Sequence, residues 1–186
     1  MTEEAIVKGC RNKSQVAQKA LYEKYSAKML PVCYRFAQNI ADAEDMLQES
    51  FIKIFSHIHQ YEGKGSLEGW IRKVVIHTSI NQLKKNRKFS DCVDVIPMAE
   101  RIVQKEKQTT QLHSKDIIEC IRMLPVGYRT VLNLYAIEGY AHKEIAEMLN
   151  IEESTSRSQY VRAKQMLERM LIRLHIIEPA RQKKRS

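Results

Sequence analysis

Apolar residues recur at steps of three and four along almost the whole chain, and no stretch keeps the alternation that a strand needs. Between residues 14 and 38, Ala17, Leu21, Tyr25, Met29, Cys33 and Phe36 form one face of a long helix. Pro31 lies inside that run and predicts a kink or a break into two helices. Residues 42–58 repeat the pattern with Leu47, Phe51, Ile54, Phe55 and Ile58, and Asp42 is the expected N-cap. A break follows at 59–66, where Gly63 and Gly65 permit left-handed backbone angles. Ser66 then caps a helix over 67–86 that turns Leu67, Ile71, Val74, Val75 and Thr78 inward.

The pattern lapses over 89–112, where Pro97 and a mixed polar run from Gln104 to Gln111 suit a solvated linker. It returns at 114–124 with Ile117, Ile118, Ile121 and Leu124. Pro125 separates that helix from another over 126–137, and Gly139 ends the latter as a left-handed residue. Next comes helix, tight turn, helix. Ile145, Ala146 and Leu149 face inward, and Asn150 and Ile151 make the turn. Ser154 or Thr155 is the expected cap of the last helix, which runs to about Leu174. The reading is an all-α chain with two small helical domains joined by a flexible linker.

Charge adds a partner to this picture. The chain has 186 residues, a net charge of +9 and a pI near 9.4, which favours a polyanion. Residues 1–90 carry 15 basic and 9 acidic side chains, 91–112 carry 3 and 4, and 113–186 carry 13 and 9. Two basic modules therefore flank a near-neutral connector. Between Gly69 and Ser90 there is no acid at all, so Arg72, Lys73, Lys84, Lys85, Arg87 and Lys88 give that helix a phosphate-attracting side. The second helix of the helix-turn-helix carries Arg157, Ser158, Arg162 and Lys164 outward, as a major-groove helix would.

Other chemistry is thinly supported. Trp70, Tyr61 and Phe89 could stack on unpaired bases, although a lone Trp at a helix start is more often packed. The acidic face of Glu44, Asp45, Gln48 and Glu49 has no His beside it and suits protein docking better than metal binding. His57 and His59 are expected to point apart on a helix, and His142 is expected at the surface. Cys10, Cys33, Cys92 and Cys120 form no Cys-x-x-Cys pair and read as reduced cytoplasmic thiols. The N-terminus lacks a signal-peptide layout, and no apolar run reaches the length of a membrane span. No catalytic constellation or phosphate loop is present, so neither enzyme activity nor a cofactor is expected.

The order of these parts resembles the extracytoplasmic-function sigma factors of bacterial RNA polymerase. The likeness rests first on Leu21-Tyr-Glu-Lys-Tyr25, Asp42-Ala-Glu-Asp-Met-Leu-Gln-Glu-Ser-Phe51 and Gly69-Trp-Ile-Arg-Lys-Val-Val75. It rests next on Leu124-Pro-Val-Gly-Tyr-Arg-Thr-Val-Leu132, Gly139-Tyr-Ala-His-Lys-Glu-Ile-Ala146 and Arg157 to Lys164. It implies a sigma-two domain over 1–90, a linker over 91–112, a sigma-four domain over 113–178 and a basic tail over 179–186. Asp42, Asp45, Gln48, Glu49 and Phe51 would dock on core polymerase. Tyr61, Lys64, Trp70, Arg72, Lys73, His77, Asn81, Lys84 and Lys85 would meet the melted minus-ten element. Thr155, Arg157, Ser158, Val161, Arg162 and Lys164 would read the minus-thirty-five duplex. The implied partners are core polymerase, promoter DNA and an anti-sigma factor. The family usually has Asn where this chain has His77 and Asp where it has Asn81, which weakens residue-level inference there. The competing readings are a helix-turn-helix regulator acting without polymerase and a site-specific recombinase; the latter needs a strand-bearing catalytic domain that this pattern does not supply.

Overall fold

The computed structural model describes residues 1–85 and 114–177, and every regular element among them is helical. The expected linker 91–112, Phe89 and the tail 179–186 lie outside these residues. The chain divides into two compact units, one within residues 1–87 and one within 88–186.

The first unit opens with a helix that the periodicity above does not include, α1 (Glu3–Arg11). Thr2 caps it by accepting from the Ala5 N–H at 3.3 Å, and Glu3 and Glu4 sit at the positive end of its dipole. Ile6, Val7 and Cys10 are buried on one side. Gly9 sits where α1 crosses the next helix, and a Cβ there would come within 2.5 Å of Ala17 Cβ.

Helix α2 (Gln15–Phe36) is capped by Ser14 and runs unbroken through Pro31. The expected break does not occur, for a local reason. Pro31 and Ala27, the residue four back whose carbonyl loses its partner, both face solvent, so water can satisfy that carbonyl. Met29, Val32 and Cys33 are meanwhile locked in the core on the other side.

Helix α3 (Ile40–His57) starts two residues earlier than expected. Asn39 is its cap, accepting the Asp42 N–H at 2.8 Å, so Asp42 sits in the first turn and is not the cap. A short 3-10 turn (Ile58–Gln60) follows. Helix α4 (Leu67–Lys85) starts where expected: Ser66 Oγ accepts the Gly69 N–H at 3.0 Å. Helices α2, α3 and α4 pack on one another, and α1 packs on α2. Leu21, Tyr25, Met29 and Phe36 from α2, Ile54 from α3, and Leu67, Ile71 and Ile76 from α4 are almost fully buried. Each such side chain stabilises the unit by roughly 1.5–3 kcal/mol through burial.

The second unit contains α5 (Ser114–Arg122), α6 (Val126–Leu132), α7 (His142–Leu149) and α8 (Glu153–Arg173). Buried Arg129 donates to the Arg122 carbonyl at 2.8 Å, which closes the end of α5. After Leu132 the helix widens into a π turn over Asn133–Ile137, where the Glu138 N–H bonds the Asn133 carbonyl five residues back. Gly139, at φ 78°, then reverses the chain. The core joins Cys120, Ile121, Leu124, Leu132, Ala163 and Met170, with Ile145 and Leu149 holding α7 inward.

Candidate nucleic-acid interfaces

Helix α3 presents Glu44, Asp45 and Gln48 to solvent, while Asp42 and Glu49 are half-buried. Glu49 is turned back on its own fold. It accepts a hydrogen bond from Gln82 Nε2 on α4 and pairs with Lys53 at 3.1 Å. The Gln82 bond first, with Lys53 and Lys85 behind it, lowers its carboxyl pKa. Phe51 is 2% exposed and meets the Tyr22 ring edge-on at 4.7 Å, so it builds the core beneath the face and does not stand on it beside Asp45 and Gln48. Beside Gln48 a shallow groove of about 260 Å³ opens, lined by Tyr22, Ser26, Ala27 and Leu30 from α2 and by Glu44, Leu47 and Gln48 from α3.

Around α4, helical spacing places Trp70, Lys73, His77, Asn81 and Lys84 on one face. Lys73, His77, Asn81, Lys84 and Lys85 are exposed and Trp70 is half-buried. Arg72 is on the opposite side among buried residues and does not share that face. Burial of part of the His77 ring, then the charge of Lys73, lowers the imidazole pKa. The loop before α4 is held by Tyr61, whose hydroxyl donates to the Gly65 carbonyl at 2.8 Å and whose ring lies 5.9 Å from that of Trp70. Gly63 and Gly65 adopt φ of 79° and 94°, which side chains resist. Lys64 pairs with Glu62 at 2.7 Å, but both are so exposed that the pair adds little. Where His57 and His59 were expected to point apart, the 3-10 turn brings their rings to 6.4 Å, nearly parallel. Among the described residues no group of three or more His, Cys, Asp or Glu side chains could hold a metal.

In the second unit, Asn150 makes the turn with left-handed angles (φ 56°, ψ 51°). Helix α8 starts directly after it. Its N-cap is Glu152, without a side-chain bond, so neither Ser154 nor Thr155 is the cap. The tight turn leaves only Ile151 and Glu152 before helical geometry begins, and Ser154 and Thr155 fall inside the first turn. Thr155 is half-buried; Arg157, Ser158, Val161, Arg162 and Lys164 are exposed. These side chains are not equally available. Arg157 is ion-paired with Glu153 four residues back, and the Ser158 hydroxyl donates to the Thr155 carbonyl at 3.0 Å. Lys164 lies 5.6 Å from the centre of the Tyr160 ring. Val161 is 52% exposed and sets an apolar side chain among these polar ones. Arg162 has no ion pair among the described residues.

His142 also departs from expectation. It is 9% exposed, not a surface residue. Its ring stacks on Tyr135 at 4.2 Å and meets the Tyr160 ring at 5.8 Å, while Nδ1 lies 2.9 Å from the hydroxyl of buried Ser156. It thus fastens α7 to α8. Burial is the main cause of its lowered pKa, Arg157 adds to it, and Glu153 opposes. Sequence spacing could not reveal this cluster, because Tyr135, His142, Ser156 and Tyr160 come from three elements.

The model for sigma-70 region 2 matches residues 21–89, and the model for sigma-70 region 4 matches 114–167. The chain is similar to the ECF RNA polymerase sigma-E factor of Haemophilus influenzae (23% identical; 90% of this chain, 94% of that one). It is also similar to the ECF RNA polymerase sigma factor SigW of Bacillus subtilis (27% identical; 89% and 94%). A third similar protein, the ECF RNA polymerase sigma factor SigE of Mycolicibacterium smegmatis, is 25% identical over 79% of this chain, which spans only 58% of that relative's length. Among solved structures, the sigma factor RpoE in complex with the anti-sigma factor NepR from Bartonella quintana aligns with a TM-score of 0.49, at 19% identity over 81% of this chain and 96% of that one. With both sigma-70 regions matched in order, and relatives of one kind across nearly its whole length, the chain belongs to the sigma-70 family and is an alternative RNA polymerase sigma factor of the extracytoplasmic-function group.

Proposed function

We propose that this sigma factor docks on core polymerase through the acidic and polar face of α3 and anchors it to promoter DNA through two separate helices. The observation that carries the reading is the pair of exposed basic faces, one on α4 and one on α8, in units that match different sigma-70 regions. Asp45 and Gln48, with Asp42 at the edge, supply the polar docking contacts; Glu49 contributes chiefly by holding α4. The loop at 61–65 and the face Trp70, Lys73, His77, Asn81 and Lys84 take the minus-ten element as a single strand. Opening costs about 1.4 kcal/mol per base-pair step, and stacking an extruded base on Tyr61 or Trp70 offsets part of it.

Helix α8 takes the minus-thirty-five element as duplex. Arg162 is the free guanidinium for a bidentate guanine contact, Val161 is placed for a thymine methyl, and Arg157 and Lys164 flank them for phosphates. The protein would act as a specificity subunit in the cytoplasm, without enzymatic activity of its own. An anti-sigma protein is a further partner that the family suggests. No helix among the described residues is long and apolar enough to cross a membrane.

Transcription with purified core enzyme and genomic fragments tests the reading. Promoter-dependent transcripts absent with core alone support it; their absence would leave a regulator that binds DNA without polymerase.

A further inference from the structure

Helix α1 lies outside the stretch that matches sigma-70 region 2, which begins at residue 21. It is nevertheless fastened to the fold at both ends. At its start, Glu3 accepts from Tyr25 Oη at 2.7 Å and from Lys24 Nζ at 2.8 Å. At its end, Arg11 reaches across the sequence and donates from Nη2 to the Tyr61 carbonyl at 2.5 Å. Between these points α1 packs against α2 and the 3-10 turn that leads into the loop.

The Tyr61 carbonyl is a sensitive place to hold. Two residues on, the backbone enters left-handed angles at Gly63, and again at Gly65. A Cβ at either glycine would meet nothing within 4 Å, so neighbouring atoms do not brace the loop there. Its conformation depends on the few bonds that pin it: Arg11 to the Tyr61 backbone, and the Tyr61 hydroxyl to the Gly65 carbonyl. Those two bonds also set the Tyr61 ring against Trp70. A lysine in its place would carry its donors on a flexible stem and lose more rotamer freedom on being fixed than the planar guanidinium does.

We infer that Arg11 is a positioning residue for the minus-ten element: it holds the 61–65 loop in the shape that captures an unpaired base, without touching DNA itself. This rests on the proposed assignment of that loop to the single strand. Ordering a loop in advance removes an entropy cost from binding, so the effect should appear in capture and in base discrimination.

The test uses holoenzyme assembled with the wild-type chain, Arg11→Ala or Arg11→Lys. Affinity is measured for a single-stranded oligonucleotide carrying the non-template minus-ten sequence, and for copies with an abasic site at each position in turn. Arg11→Ala is expected to weaken the intact strand roughly tenfold. It should flatten the penalty of the abasic site at the captured position, with the salt dependence unchanged; Arg11→Lys should recover part of both. A uniform loss across all strands with a shallower salt slope would mean that Arg11 contacts a phosphate, which overturns the inference. So would unchanged affinity and discrimination. Loss of core binding, or a shifted Trp70 unfolding transition, would make Arg11 a scaffold residue and overturn it equally. If wild-type holoenzyme shows no abasic-site penalty anywhere, the assignment of the loop itself fails, and that result is read before any variant is made.

Discussion

Helices α4 and α8 both offer basic side chains to a nucleic acid, yet they are mounted in opposite ways. Helix α4 buries eight of its 19 residues and is a central member of its unit, so its exposed basic face, the proposed DNA face, is a narrow strip on a core helix. Helix α8 buries four of 21, two of them polar, and stands largely proud of its core. The difference suits the two proposed tasks. Capturing an unpaired base needs a rigid platform, whereas reading a duplex needs a helix that can enter a groove. It also means that changes in α4 risk the fold, while changes on the outer side of α8 do not.

The largest effect that follows is Ile71→Ala. Ile71 is 0% exposed, and its truncation should cost roughly 2–5 kcal/mol. Trp70 is the chain's sole tryptophan, so denaturant unfolding followed by its fluorescence reports the first unit alone. An unmoved Trp70 transition would contradict the central placement of α4.

His142→Phe should come next. The ring stack on Tyr135 is kept, but Ser156 is left as a buried hydroxyl without its partner, at a cost of about 1–3 kcal/mol. Far-UV circular dichroism should show the second unit melting earlier while the Trp70 transition stays put. Coincident shifts in both would show that the two units are not independently stable.

Arg162→Ala should weaken binding to minus-thirty-five duplex roughly tenfold, the lower part of the range for a bidentate contact, and leave both unfolding transitions in place. An unchanged preference for that element would remove Arg162 from the reading surface.

A smaller effect is set by pH. His142 has a native pKa below its ordinary value of 6.5, so the unfolded chain binds the proton first. Stability of the second unit should be full above about pH 6.5 and decline as pH falls through the native value. Melting across pH 5–7.5 checks this, and His142→Phe should abolish that part of the slope.

Glu49→Gln should change least. It removes the half-exposed Lys53 ion pair but keeps an acceptor for Gln82, so less than about 1 kcal/mol is expected. A large loss of core binding would instead return Glu49 to the docking face.

Much of this architecture is legible in the residue pattern, because apolar spacing marks α2 through α7, the cap candidates and outward basic residues mark α8, and glycines mark the turns at 63, 65 and 139. The misses have physical causes. Helix α1 is hard to read because it is only nine residues long and its apolar face is no more than Ile6, Val7 and Cys10. Asn39 and Asp42 are both good caps three residues apart, and only the backbone decides between them. Pro31 suggests a kink or a break by its chemistry, but solvent on its side of α2 can satisfy the freed Ala27 carbonyl, so the helix continues through it. Phe51 fits the docking motif and the core pattern equally well, and packing chose the core. For α8, the exposed residues are legible; that Arg157 and Ser158 already have intramolecular partners is not. The burial of His142 is not legible, because Tyr135, Ser156 and Tyr160 reach it from other elements.

The central claim is that two anchors on one chain grip two promoter elements at once. In this arrangement the polymerase-bound first unit holds α8 near its element at high effective concentration. The most direct test is transcription by the reconstituted holoenzyme from one promoter whose elements are altered singly, together, and with the spacing between them lengthened or shortened base pair by base pair. The account predicts that either altered element reduces initiation, that altering both abolishes it, and that activity is confined to a narrow window of spacing. Initiation that ignores the upstream element, or tolerates any spacing, would contradict it.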